Sequence, residues 1–178
     1  IDPQLNDREM LFAKVIRDAD KIDILKVATD FPLEEIYNVA TEQIHAHLIT
    51  EEVIQQFRQK QAIFRDTKKV PIDNLAGHIA LVFELEFPQS YEIVKEQGYL
   101  DRLLAFQSPN EGLMLQFQEM RQIMQEHLQA MAEKNRQIVW YWLLQGRVSS
   151  IAYKEKKIHT FFIKICYTSI LIFVDPIG

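Results

Sequence analysis

The chain contains a single cysteine, Cys166, which excludes an internal disulfide and points to a reducing compartment such as the cytoplasm. Zinc-type Cys/His spacing is absent. There is no glycine-rich phosphate loop and no Gly-x-Ser-x-Gly elbow, so phosphate cradling by a loop and serine-hydrolase chemistry have no anchor. No basic segment followed by an apolar run opens the chain, which removes a secretory signal. The first residue is Ile1 rather than Met, as a fragment or processed chain would give. Positive charge is also short: the net charge of -5 argues against a nucleic-acid backbone as partner.

Charge divides the chain. Residues 1–134 hold 14 Lys+Arg against 23 Asp+Glu, whereas residues 135–178 hold 6 against 2. Both tryptophans, Trp140 and Trp142, fall in the second part, which runs into "IHTFFIKICYTSILIFV". This tail has two readings. Its 17 residues from Ile158 to Val174 are slightly short for a membrane anchor and carry His159 and Lys164. The preferred alternative is a segment foreign to the body, with an A/T-rich read-through composition and an aggregation liability. Deleting 136–178 should then improve solubility without lowering the helical content of the rest.

The body, 1–134, reads as helices. Asn6 with Glu9 has capping-box spacing and predicts a helix to about Thr29. Pro32 begins a short helix through "LEEIYNVA", and Thr50 with Glu51 and Glu52 begins another. "TKKVP" is a linker, after which Asp73 caps the apolar "NLAGHIALVFELE". "PQSYEIVKEQG" starts at Pro88 and stops at Gly98. After "YLDRLLAFQ", the run Ser108-Pro109-Asn110-Glu111 places an N-cap at Ser108 and opens a last helix that continues past Lys134. No strand alternation competes, so the fold class is all-α, with Ile16, Ala19, Ile22, Leu81 and Phe83 expected to be buried together.

"VIRDADKIDIL" places three acids within six residues of the first helix. Residues three and four apart share a helix face. Phe12, Val15, Ala19 and Ile22 form one ladder, read as the core stripe. Ala13, Ile16, Asp20, Asp23, Ile24 and Val27 form the adjacent one, in which Asp20 interrupts an apolar face while Arg17 and Asp18 look outward. A carboxylate on such a face needs an ion pair, hydrogen bonds or a metal. Spacing alone leaves a salt bridge and a metal ligand both open.

The stretch "IRDADKIDIL" resembles the last conserved segment of the HD superfamily of metal-dependent phosphohydrolases. The runs "PLEEIYNVA" and "PIDNLAGHIALVFELEFPQSYEIVKEQGYLDRLL" are similar to the C-terminal helices of a bacterial subgroup of that family. The resemblance covers roughly residues 1–134 and implies a helical bundle of the HD-domain type, incomplete at its N-terminus. It implies Asp20 as a metal ligand and Lys21 as a contact to substrate phosphate. Arg17, Asp18 and Asp23 lie in the motif without an assigned ligand role, and His78 could line the substrate pocket. The implied cofactor is a divalent ion (Mn, Mg, Fe or similar), and the implied substrate a small phosphate ester or nucleotide. The sequence departs from the pattern in one respect. The family's His and His-Asp ligands belong upstream of this segment, and the chain contains no His-Asp dipeptide. The expectation is therefore a fragment, inactive alone, of a metal-dependent phosphohydrolase. The rival readings are a non-catalytic helical interaction module and a membrane-tethered regulatory fragment.

The remaining histidines and cations carry less. His45 and His47 read as exposed loop residues, His78 as a hydrogen-bonded core residue, and His127 and His159 as unpartnered. The basic run "FRQKQAIFRDTKK" reads as a solvated helix face plus linker, and Phe83, Phe87, Phe106 and the Met114/Met120/Met124 series as helix packing.

Overall fold

Each helix start in the sequence carries its own chemistry, and most starts fall where that chemistry places them. The structure, a computed structural model, describes residues 5–144. The helices are α1 (Asp7–Asp30), α2 (Leu33–Tyr37), α3 (Thr41–His45), α4 (Glu51–Arg58), α5 (Pro71–Ala80), α6 (Pro88–Gln97), α7 (Tyr99–Leu104) and α8 (Glu111–Leu144), with no strand among the described residues. The fold is all-α. The chain divides into two units, residues 1–131 and 132–178. The contacts below belong to the first. The expectations for the tail fall almost wholly outside the described residues; within them, no helix is long and apolar enough to cross a membrane.

The Asn6–Glu9 box forms in full. The Asn6 side chain accepts from the Arg8 and Glu9 amides, and the Glu9 carboxylate accepts from the Asn6 amide at 2.8 Å. Pro88 occupies the first turn of α6, and Gly98 ends that helix at φ 68°, a left-handed conformation that glycine adopts without a Cβ penalty. Asn38 ends α2 in the same way at φ 52°, so "LEEIYNVA" stops as a helix at Tyr37.

Two caps differ from the sequence reading. Pro71, lacking an amide hydrogen and fixed in φ, opens α5 three residues earlier than expected, which moves Asp73 into the first turn. From there its carboxylate reaches back to the Lys69 and Val70 amides, and it also binds the Thr50 amide and hydroxyl. Thr50 therefore heads α4 without capping it. The cap of α8 is Asn110, which accepts from the Leu113 amide; Ser108 instead accepts from the Asn110 amide.

The apolar run after Asp73 is not one helix. It tightens into a 3-10 turn at Leu81–Glu84 and leaves it extended at Leu85; Phe87 is extended too, as the ring of Pro88 requires of the residue before it. Around α5 pack α1, α2, α3, α4 and α7. The core they enclose includes Leu25, Phe57, Leu75, Ile79, Leu100 and Phe117, each 2 % exposed or less. Full burial of one such side chain stabilises by about 1.5–3 kcal/mol.

The orientation of α1 corrects the sequence reading most. Its inner face is Asp18, Lys21, Ile22, Leu25 and Ala28, all buried. Of the residues expected to be buried together, only Ile22 is; Ala19, Leu81 and Phe83 are half-buried, and Ile16 is 64 % exposed. Phe12, assigned to the core stripe, is 49 % exposed. The cause is that α1 carries apolar residues on both sides. Phe12, Ile16, Val27 and Phe31 line an outer face opposite the one that packs, so periodicity alone could not say which was inner.

Candidate functional site

The acid buried on α1 is Asp18, not Asp20. Asp18 is 2 % exposed, and its carboxylate accepts from three donors at the start of α6. These are the Glu86 amide (3.1 Å), the Phe87 amide (3.1 Å) and the Ser90 hydroxyl (2.6 Å). Phe87 heads α6 and has no side chain that could cap it, so Asp18 caps that helix from across the interface. Its charge lies at the positive end of the α6 dipole.

Lys21, one turn along and 8 % exposed, makes the complementary contact. Its ammonium donates to the Glu84 carbonyl at 2.9 Å and pairs with the Glu84 carboxylate at 3.2 Å. Glu84 ends the 3-10 turn, so a cation sits on a free carbonyl where the partial charge is negative. The pair Asp18 and Lys21 thus grips the corner 84–90 on both sides. This is the salt-bridge and hydrogen-bond role expected of an inner-face acid, transferred from Asp20 to its neighbour.

Asp20 lies on the outer face. It is exposed, as are Arg17 and Asp23, and no hydrogen bond or ion pair engages any of the three among the described residues. Ile16 and Val27 flank the two carboxylates along that face, 64 % and 42 % exposed. The motif therefore splits: Asp18 and Lys21 point into the protein, and Arg17, Asp20 and Asp23 point out.

No group of three or more His, Cys, Asp or Glu side chains converges among the described residues. Asp20 and Asp23 give two carboxylates on one helix and no third donor. A catalytic divalent ion takes more ligands than that, so the residues present do not by themselves fit a metal centre.

Three of the four histidines among the described residues are engaged elsewhere, and His159 lies outside those residues. His78 is half-buried, with Nδ1 3.0 Å from the Tyr37 hydroxyl of α2. Burial, assisted by the nearby Lys68 charge, pulls it down to about 4, while burial pushes the Tyr37 hydroxyl up. His45, expected in an exposed loop, ends α3 instead; it bonds the Ser108 hydroxyl at 2.9 Å and stacks on Phe106. His47 is exposed, as expected. His127, expected without partners, is buried 3.3 Å from the Tyr91 hydroxyl and edge-on to Phe83.

In the basic run, Arg58 holds Glu119 through two bonds and also meets Glu51, and Lys69 pairs with Glu52. An open, mainly apolar cavity of about 390 Å³ lies between α1, α2, α5 and α7, with Arg102 as its one charged lining residue; Asp20 and Asp23 do not line it.

Sequence reasoning missed Glu84 and Ser90, which hold Lys21 and Asp18. The available signal was the uncapped start at Phe87-Pro88, which requires an acceptor from elsewhere in the chain. No protein-family model, no curated protein and no solved structure matches this chain.

Proposed function

We propose that α1 contributes one edge of an HD-type metal-dependent phosphohydrolase site, with Asp20 as its metal ligand. The observation that carries this reading is the position of Asp20. It is an exposed carboxylate without a partner among the described residues, on the side of α1 that also carries Asp23 and the exposed apolar residues Phe12, Ile16, Val27 and Phe31. An acid set in an apolar stripe suits a surface that another segment covers, where the carboxylate meets ligands brought by that segment.

In this reading the remaining donors come from outside the described residues, in the His and His-Asp pattern that the resemblance implies. A bound divalent ion would supply an activated water for hydrolysis of a phosphate ester or nucleotide. Within this chain, Asp18 and Lys21 fix the corner 84–90 and hold α1 in place, while Asp23 adds negative charge beside Asp20. Lys21 reaches a phosphate only by releasing Glu84, so Asp20 carries the reading and Lys21 follows it.

The same outer face also supports the reading as a helical interaction module, in which the stripe docks a partner and no chemistry follows. Two observations separate the readings. The coding sequence upstream of Ile1 either encodes a His followed by a His-Asp pair or does not. If it does, the joined protein should hydrolyse a generic phosphodiester or nucleotide with Mn²⁺, and Asp20→Asn should abolish that activity and weaken Mn²⁺ binding. Full activity with Asn at position 20 would refute the assignment. The chain as it stands should bind Mn²⁺ no better than its Asp20→Asn variant.

A further inference from the structure

The cavity of about 390 Å³ beside the C-terminal end of α1 falls within the range of small-molecule sites, roughly 300–1,000 Å³. Its floor is Ala28, Leu75 and Leu103, all buried. Ala28, on the inner face in the last turn of α1, contributes only a methyl group there. Past it the chain leaves α1 extended at Phe31, and Phe31, Pro32 and Arg102 stand exposed around the mouth. Water gains little from such a floor, and an apolar group entering the cavity removes that surface from solvent.

Two lining side chains are polar. Thr29 donates its hydroxyl to the Leu25 carbonyl at 2.8 Å, within its own helix. Arg102 is the only charged one. Its guanidinium lies over the Tyr99 ring, 4.8 Å from the centroid, which restricts the side chain before anything binds. It pairs with no carboxylate among the described residues and, being exposed, needs none for the fold to stand. An apolar floor with a single cation at its mouth and no acid in its lining selects an apolar molecule that carries one negative group. A carboxylate matches the planar guanidinium through two parallel N–H···O bonds.

We propose that this cavity binds a small amphipathic carboxylate, a short fatty acid or an aromatic acid. The apolar body rests on Ala28, Leu75 and Leu103, and the carboxylate meets Arg102. Tyr99 is a positioning residue, since it holds the guanidinium from below. The site stands apart from the Asp20 reading, because neither Asp20 nor Asp23 lines the cavity, and it calls for no metal.

The test uses the full chain, with octanoate as probe and octanol and octylamine as neutral and cationic controls, all kept below their aggregation range. Methyl signals of Ala28, Leu75 and Leu103 are followed by NMR at neutral pH and constant ionic strength. Octanoate should shift them saturably, and octylamine should not. Octanol should bind about tenfold more weakly than octanoate, the worth of one charge-assisted hydrogen bond. Arg102→Met should bring octanoate down to the octanol level and leave octanol unchanged, whereas Arg102→Lys should restore part of the difference. Phe31→Ala, at an exposed position, should weaken octanoate and octanol alike. Tyr99→Leu should weaken octanoate less than Arg102→Met does. Benzoate in place of octanoate tells an aromatic from an aliphatic ligand by which of the two saturates at lower concentration. No saturable shift with either acid, equal binding of octanoate and octanol, or unchanged octanoate binding in Arg102→Met with its fold intact by circular dichroism would overturn the site and leave a surface depression.

Discussion

Replacing Asp18 with alanine should destabilise the body far more than replacing Asp20, although the two lie two residues apart in one motif. The change strands three donors: the Glu86 and Phe87 amides and the Ser90 hydroxyl. A stranded buried donor costs about 1–3 kcal/mol, and loss of a helix cap alone about 1. Glu86 is exposed, so water can replace part of its bond, whereas Ser90 is 6 % exposed and cannot be so served. The sum is about 3 kcal/mol, a large share of the 5–15 kcal/mol that holds a typical domain together. At roughly 2–4 °C per kcal/mol for a chain of this size, Tm should fall by about 6–12 °C. Asp18→Asn keeps one acceptor oxygen and loses the charge, so about half that loss is expected. Asp20→Ala, at an exposed position without partners, should stay within about 0.5 kcal/mol. Urea unfolding of the three variants, followed by far-ultraviolet circular dichroism, decides the matter. A loss at Asp18→Ala below about 1 kcal/mol, or equal to that at Asp20→Ala, would refute the view that Asp18 anchors the corner.

Three further outcomes are expected. His78 is held at about 4 against 6.5 in the unfolded chain, so the unfolded state binds the extra proton first; stability is whole above about pH 6.5 and falls by up to about 3 kcal/mol as pH drops toward 4. His127, lowered by burial, adds the same sign, so the test is the difference in urea midpoint between pH 7 and pH 4.5 for the parent and for His78→Gln, in which the slope should flatten. Gly98→Ala should cost about 1 kcal/mol from the left-handed backbone alone, since nothing lies within 4 Å of the added methyl; a neutral result in thermal melts would mean that the turn relaxes. Ile16→Lys should leave stability within about 0.5 kcal/mol and raise solubility, and a loss above 2 kcal/mol would mean that the outer face of α1 is covered in solution.

The starts and stops of the helices were legible because they rest on local chemistry. Asn6 with Glu9, Pro88 and Gly98 act within one turn of themselves, and each stands where the sequence placed it. Asp73 and Ser108 were misplaced for an equally local reason. A proline at the first helical position, or a second capping residue nearby, shifts the start by two or three residues, and short-range rules do not choose between neighbouring starts. The facing of α1 was not legible at all. With Phe12, Ile16, Val27 and Phe31 on one side and Ile22, Leu25 and Ala28 on the other, two apolar faces competed. The sequence reading turns Asp18 outward and gives Lys21 to a substrate phosphate, whereas both are buried on the inner face.

What settles the inner face is a demand made seventy residues away. The segment "LEFPQS" enters α6 through a phenylalanine that cannot cap and a proline that has no amide hydrogen. The amides of Glu86 and Phe87 are then left without an acceptor in their own turn. Just before them, the carbonyl of Glu84 closes a 3-10 turn and needs a donor. A helix crossing this corner meets both demands with an acid and a base spaced one turn apart and matched in order to the two dipoles, which is what Asp18-x-x-Lys21 provides. The acid that the core requires is therefore the one whose partners are distant orphaned amides. Asp20, for which no such demand exists among the described residues, stays exposed on the outer face.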